Sequence, residues 1–245
     1  MPGLNADLRR RVAEECATDR MLIGALHPEA RVECMPEGYR YPHDSAKADC
    51  VFIAMEPSLL GAKPYKGTAK AGNTPNFLSS RRDFVLHLFI RRHVLKGRYF
   101  ITDLAKGAMI TDLAAESCIG RWIRWYSLLI DELGTMVHSK TRLFALGDRA
   151  FGAIYYSNTQ ARLGLEARVK KLTHYANRFP QASKSGLQET EKEYEDFDLQ
   201  GFAQEVLEDQ GLDAETIRHV SATVKELNRA DLLLLARWKE ELASG

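Results

Sequence analysis

Apolar residues follow two rhythms along this chain. Leu8, Val12 and Cys16 stand four apart, the spacing of one helix face, and predict a helix over 4–20. Val51-Phe52-Ile53-Ala54 is instead an unbroken apolar run halted by Pro57, the texture of a strand buried on both faces. RYFITDLA and TRLFALG repeat that texture, and a shorter run lies near VKKLTH. Between them, 77–96, 116–137 and 148–163 carry helical periodicity, clearest in RWIRWYSLLIDELGTMV. Strands alternating with helices, each strand ending in polar residues, predict an α/β fold: a mostly parallel four-stranded central sheet with helices on both faces. The stretch 27–49 and the segment LGAKPYKGTAKAGNTPN, rich in turn formers, read as loops.

After residue 185 the texture changes. QETEKEYEDFDLQ is acidic and solvated, and 199–243 reads as two or three helices ending in ADLLLLARWKEEL. The chain therefore divides into an α/β domain, 1–185, and an acidic helical extension, 186–245, expected as a C-terminal appendage packed on the core or as an element that binds a protein partner. Charge follows the same division. Residues 186–245 hold 15 acidic and 6 basic residues, against 18 acidic and 28 basic in 1–185. A basic body suits a polyanionic partner, and a surface whose two signs neutralise each other explains the numbers equally well.

Cys16, Cys34, Cys50 and Cys118 are spread without any CxxC, so scattered reduced thiols are expected in place of a disulfide framework, a zinc site or an iron–sulfur cluster. No metal and no cofactor are expected. No apolar run reaches membrane-spanning length and MPGLNADLRRR lacks a signal-peptide core, which predicts a cytoplasmic protein with no membrane partner. A Rossmann-type nucleotide binder is disfavoured, because GxGxxG and GxxxxGK[ST] are both absent.

In sheets of this kind, ligands bind beyond the carboxyl ends of the strands. That rule brings Glu56, Asp103, Gly147 and His174 to one rim. The strand-end series AMEPS, TDLAKGAM, LGDRAF, THYANRFPQASK resembles the uracil-DNA glycosylase superfamily, nearest its single-strand-selective monofunctional branch. Against that branch's HPSPRNPQANK, this chain keeps His174, Arg178, Pro180, Gln181, Ala182 and Lys184 in register. Against its GMNPG, it keeps Met55 and Pro57. The likeness covers about 50–185.

The resemblance implies a DNA glycosylase that flips a base out of the stack and hydrolyses its N-glycosidic bond. Such a reaction builds positive charge on the sugar and negative charge on the departing base, so it needs a carboxylate or oriented water beneath C1′ and a donor at the base oxygen. Glu56 is the candidate for the first role and His174 for the second. Met55, Ser58, Tyr65 and Asp103 would bind the base, with Tyr65 stacking on it. Lys63, Lys66, Tyr175, Asn177, Arg178 and Lys184 would contact DNA, Phe179 would help fill the gap, and Lys70, Arg81, Arg82, Lys170 and Lys171 are further phosphate candidates.

Two departures from the family pattern bear on the substrate. Asp103 stands where uracil-cleaving relatives carry Asn. An ionised Asp only accepts hydrogen bonds, and cytosine presents an amine where uracil presents O4. Ser58 replaces a Tyr that, in the most uracil-restricted relatives, excludes substituents at C5. Together these predict a C5-modified cytosine, such as a hydroxymethyl or glucosylated one, and hence a role in defence against bacteriophage carrying such bases. Two alternatives remain open: an orthodox uracil-DNA glycosylase in base excision repair, and a non-catalytic DNA-binding module.

Overall fold

The apolar runs become the middle of a sheet. A computed structural model describes residues 5–28, 32–34, 38–42, 46–57, 76–78, 80–94, 97–109, 118–175 and 180–244. Its main sheet contains β2 (Tyr39–Tyr41), β3 (Cys50–Ala54), β4 (Tyr99–Asp103), β6 (Arg142–Leu146) and β7 (Lys170–Leu172), in the order β2-β4-β3-β6-β7. All neighbours are parallel except β2, which runs antiparallel to β4. A small second sheet pairs β1 (Glu33–Cys34) with β5 (Gly107–Ala108).

The sheet thus has five strands where the sequence predicts four. The extra one, β2, is three residues long and lies inside the turn-rich stretch 27–49, too short to show a period of its own. It lies tight against β4. A side chain at Gly38 would come within 2.3 Å of the Ile101 carbonyl, so only glycine permits the approach.

Helices cover both faces. On one side lie α1 (Ala6–Leu26), α3 (Cys118–Met136) and α4 (Asp148–Tyr156), packed against Val51, Ile53, Phe100, Leu143 and Ala145. A short α5 (Thr159–Arg162) follows α4. The α1 helix outlasts its predicted end because MLIGAL holds no proline to stop it before Pro28 and tolerates its single Gly24. The opposite face, built from Phe52, Ala54, Tyr99, Ile101, Phe144, Leu146 and Leu172, meets α2 (Arg81–Phe89). This helix starts at a Ser80–Asp83 capping box and runs into a π-helical turn, Ile90–Val94.

The C-terminal helices belong to that same layer. They are α6 (Lys184–Glu193), α7 (Leu199–Glu208), α8 (Ala214–Ser221) and α9 (Arg229–Ala243). Ala203, Val206, Leu207, Leu234, Leu235 and Trp238 share one apolar cluster with Phe52, Phe84 and Phe144. Trp238 packs on Phe89 with ring centroids 5.0 Å apart. The predicted acidic solvated stretch is half helix: Leu187 and Thr190 of α6 are buried, while Glu189, Glu195, Asp196 and Asp198 are exposed. Charge marks the outside of this layer, and apolar residues at helical spacing bind its inside to the sheet.

The cysteines also differ from expectation. Cys16 on α1 and Cys34 on β1 form a disulfide with Cα atoms 5.8 Å apart, and Cys50 is a buried free thiol. A separation of 18 residues leaves no sequence signal; the pair meets because β1 lies against both α1 and β5. Among the described residues, no helix is long and apolar enough to cross a membrane.

Candidate active site

Alternation along β4 decides where its polar residues go. Tyr99, Ile101 and Asp103 face the α2 side, whereas Phe100 and Thr102 face the α3 side. Thr102 joins a buried trio there: Lys106 donates to the Thr102 hydroxyl and to Glu132 Oε2, the latter at 2.9 Å. Asp103 instead ends its strand among apolar neighbours and is 1% exposed. Burial pushes its carboxyl from the ordinary 3.8 up to about 7; Lys106 and Asn76 oppose the rise, and the charges of Glu56 and Glu132 add to it.

Asn76 is the direct partner of Asp103, its Nδ2 donating to Oδ2. The amide's orientation is fixed from behind, because Asn76 Oδ1 accepts from the Phe77 N–H at 3.0 Å. Phe77 itself has a left-handed backbone, φ 66°, uncommon for a bulky residue. His87 holds it there: Nε2 lies 3.0 Å from the Phe77 carbonyl, and Nδ1 lies 2.9 Å from the Tyr99 hydroxyl. Burial lowers the His87 imidazole to about 3, so it is a neutral strut. Asp103 Oδ1 has no hydrogen-bond partner among the described residues.

Glu56 lies two residues beyond β3, which is in register with β4 so that Ala54 sits opposite Asp103. Backbone bonds extend this pairing past the strand ends, from Leu104 to the Ala54 carbonyl (2.9 Å) and from Ala105 to that of Met55 (3.0 Å). Glu56 turns toward α3, where Arg121 donates to its Oε2, to the Gly107 carbonyl and to Asp19. Trp125 adds a donor to Asp19 at 2.9 Å. Burial raises the Glu56 carboxyl above its usual range, against the pull of Arg121.

His174 follows β7 and rests on Gly147, the residue between β6 and α4. The Gly147 N–H donates to the Leu172 carbonyl at 2.7 Å, its φ is 90°, and a Cβ there would lie 3.1 Å from that of His174. Tyr175 stacks on the imidazole with centroids 4.7 Å apart. Burial lowers His174 to about 4, so at neutral pH the ring is an uncharged hydrogen-bonding group. The segment is held from α9. Glu241 accepts from the Thr173 N–H and hydroxyl, both at 2.7 Å, and Trp238 donates to the Thr173 carbonyl at 2.7 Å. Further along the chain, Glu240 accepts from the Ser183 N–H at 2.9 Å.

The three predicted polar groups thus lie along one rim, Glu56 and Asp103 in electrostatic contact and His174 beside them through the stacked Tyr175. Glu56 acts on Asp103, and Asp103 with Asp83 raises the Tyr175 phenol, already pushed up by burial. Met55, predicted at the base, is buried in the apolar cluster on the α3 face. Tyr175 is half-buried against Phe77, with ring centroids 6.4 Å apart, and its carbonyl accepts from Arg82 at 3.2 Å. Lys184 is exposed as the first residue of α6, behind the Ser183 cap.

Arg81 and Arg82, predicted as phosphate contacts, are held by the buried Asp231 of α9 at 3.3 and 3.1 Å. Lys171 pairs with Asp148 at 2.7 Å. Ser58, Lys63, Tyr65, Lys66, Lys70, Asn177, Arg178 and Phe179 lie outside the described residues. Among the described residues, no group of three or more His, Cys, Asp or Glu side chains could hold a metal ion.

Asn76, Phe77, Arg121 and Glu241 are the site residues the sequence does not single out. Arg121 is one of several charged residues on an amphipathic helix, and Asn76 hides in the turn-rich NTPN. The chain matches no known family model, and comparison with curated proteins finds no significant relative.

Proposed function

We propose that the protein is a monofunctional DNA glycosylase of the uracil-DNA glycosylase type, excising a C5-modified cytosine from DNA. The observation that carries this reading is Asp103: a carboxyl buried at a strand end, one oxygen held by Asn76 and the other without a partner among the described residues, on the same rim as Glu56 and His174. A buried polar atom without a partner is costly unless a ligand supplies one. In the proposed reaction the C1′–N1 bond breaks with its electron pair leaving on the base, and water adds to C1′ with loss of a proton. His174, neutral, would donate to the base oxygen as negative charge grows there. Glu56, tethered by Arg121, would present carboxylate charge to the sugar and water. Phe77 and Tyr175 supply the aromatic walls. A role against bacteriophage with such bases follows from the substrate.

The test is release of free base from oligonucleotides carrying uracil, cytosine, 5-hydroxymethylcytosine or its glucosylated form, with abasic sites scored by alkaline cleavage. The modified cytosines should be released, and Glu56→Gln or His174→Gln should slow release by ~10²–10³-fold while DNA binding persists. Release of uracil alone would overturn the substrate, and no release from any oligonucleotide the enzyme. A second reading, a non-catalytic DNA-binding module, is favoured by one observation: Arg121 already occupies Glu56. It requires that Glu56→Gln change neither binding nor the protein's effect in cells.

A further inference from the structure

Asp103 and Asn76 form a paired acid and amide whose geometry settles which carboxyl oxygen carries a proton. The Phe77 N–H fixes the Asn76 carbonyl end, so the amide can offer Asp103 only N–H. Oδ2 receives that N–H and is thereby the carbonyl-like oxygen. The proton, when present, belongs on Oδ1, the oxygen without a partner among the described residues. That buried atom would meet a ligand as an O–H donor or as an O⁻ acceptor. Pyrimidines differ at one matching place: cytosine types carry an amine at position 4, a donor, and uracil types a carbonyl, an acceptor.

Resting on the glycosylase reading above, we propose that Oδ1 of Asp103 reads position 4 of the extruded pyrimidine in both of its protonation states, so that the same site takes uracil-type bases when the acid holds its proton and cytosine-type bases when it does not. The groups facing the carboxyl come from each surrounding element. Lys106, just past β4, favours the ionised form, as does Asn76 ahead of α2; Glu56 beyond β3 and Glu132 of α3 favour the proton. Tyr175 beyond β7 feels the Asp103 charge and remains a neutral phenol, and His174 beside it is uncharged at neutral pH. With burial added, the balance lies near neutrality. The Asn that uracil-cleaving relatives place here has one fixed donor and one fixed acceptor. Asp103 exchanges one for the other with a single proton.

The experiment measures release rates between pH 5.5 and 8.5 from two matched pairs of oligonucleotides, cytosine with uracil and 5-hydroxymethylcytosine with 5-hydroxymethyluracil. Within a pair the bases differ only at position 4. The cytosine-to-uracil rate ratio should rise about tenfold per pH unit, the signature of one proton with opposite effects on two substrates. Asp103→Asn should flatten the ratio and favour the uracil member. Asn76→Ala removes a bond that stabilises the ionised acid and should move the crossover to higher pH. Base release with a ratio that ignores pH would overturn this inference and leave the glycosylase reading standing. Absence of release from all four substrates at every pH would overturn both.

Discussion

Glu56 and Asp103 end adjacent strands of one sheet, yet they turn to opposite sides of it and keep different company. Glu56 meets a buried guanidinium that also holds Asp19 and the Gly107 carbonyl, so charge is answered by charge. Asp103 meets an amide and feels Lys106 only at a distance, with one oxygen unanswered among the described residues. A paired carboxylate in such surroundings is a strut that can also carry negative charge to a ligand. An unpaired one is unstable as an ion and waits for a proton or a donor. The difference separates a group built to hold the rim together from a group built to be read.

The largest expected effect comes from removing the partner on the Glu56 side. Arg121→Met should cost about 3–5 kcal/mol of folding stability, because Glu56 loses its ion-pair partner and Asp19 keeps only Arg124 and Trp125. Asp103→Asn should leave stability unchanged or raised at pH 8, since it removes a buried acid and keeps its shape. Urea unfolding of both variants at pH 8 compares them directly. Equal losses would erase the distinction between the two carboxyls.

Much of this frame is legible in the sequence. The runs at 51–54, 99–103 and 142–146 announce a parallel sheet because strands buried on both faces need continuous apolar residues, and the polar Glu56 and Asp103 at two of their ends mark the rim. What the sequence hides are relations between distant short segments. Residues 39–41 become a strand only by leaning on β4 across Gly38. Arg121 becomes the partner of Glu56 only once α3 crosses the end of β3. Helix α9 looks like an amphipathic tail, and nothing in LLLLARWKEEL says that Trp238 and Glu241 would grip Thr173.

That grip gives a smaller effect on the Asp103 side. Glu241→Ala deletes the acceptor for the Thr173 N–H and hydroxyl and should cost about 1–3 kcal/mol. Hydrogen exchange at the Thr173 amide reads it locally: faster exchange there, with the β3 amides unchanged, shows that α9 holds the His174 segment specifically. Acceleration spread evenly over the sheet would instead make α9 a general part of the core.

The smallest effect is a cancellation. Asp103, raised to about 7 when folded, confers stability that is complete below its unfolded value near 3.8 and is lost as pH rises through 7. His174, lowered to about 4 from 6.5, acts in the opposite sense: its contribution is present above 6.5 and is lost as pH falls through 4. Between pH 4 and 6.5 the two slopes oppose, each at most about 1.4 kcal/mol per pH unit, so the wild type should show little net change from this pair. Each variant removes one slope and leaves the other visible. Across that window Asp103→Asn should gain stability with pH relative to the wild type, and His174→Gln should lose it. Parallel curves for all three proteins would mean that neither ring nor carboxyl changes its proton affinity on folding, and the contrast between an answered and an unanswered acid would have no thermodynamic content.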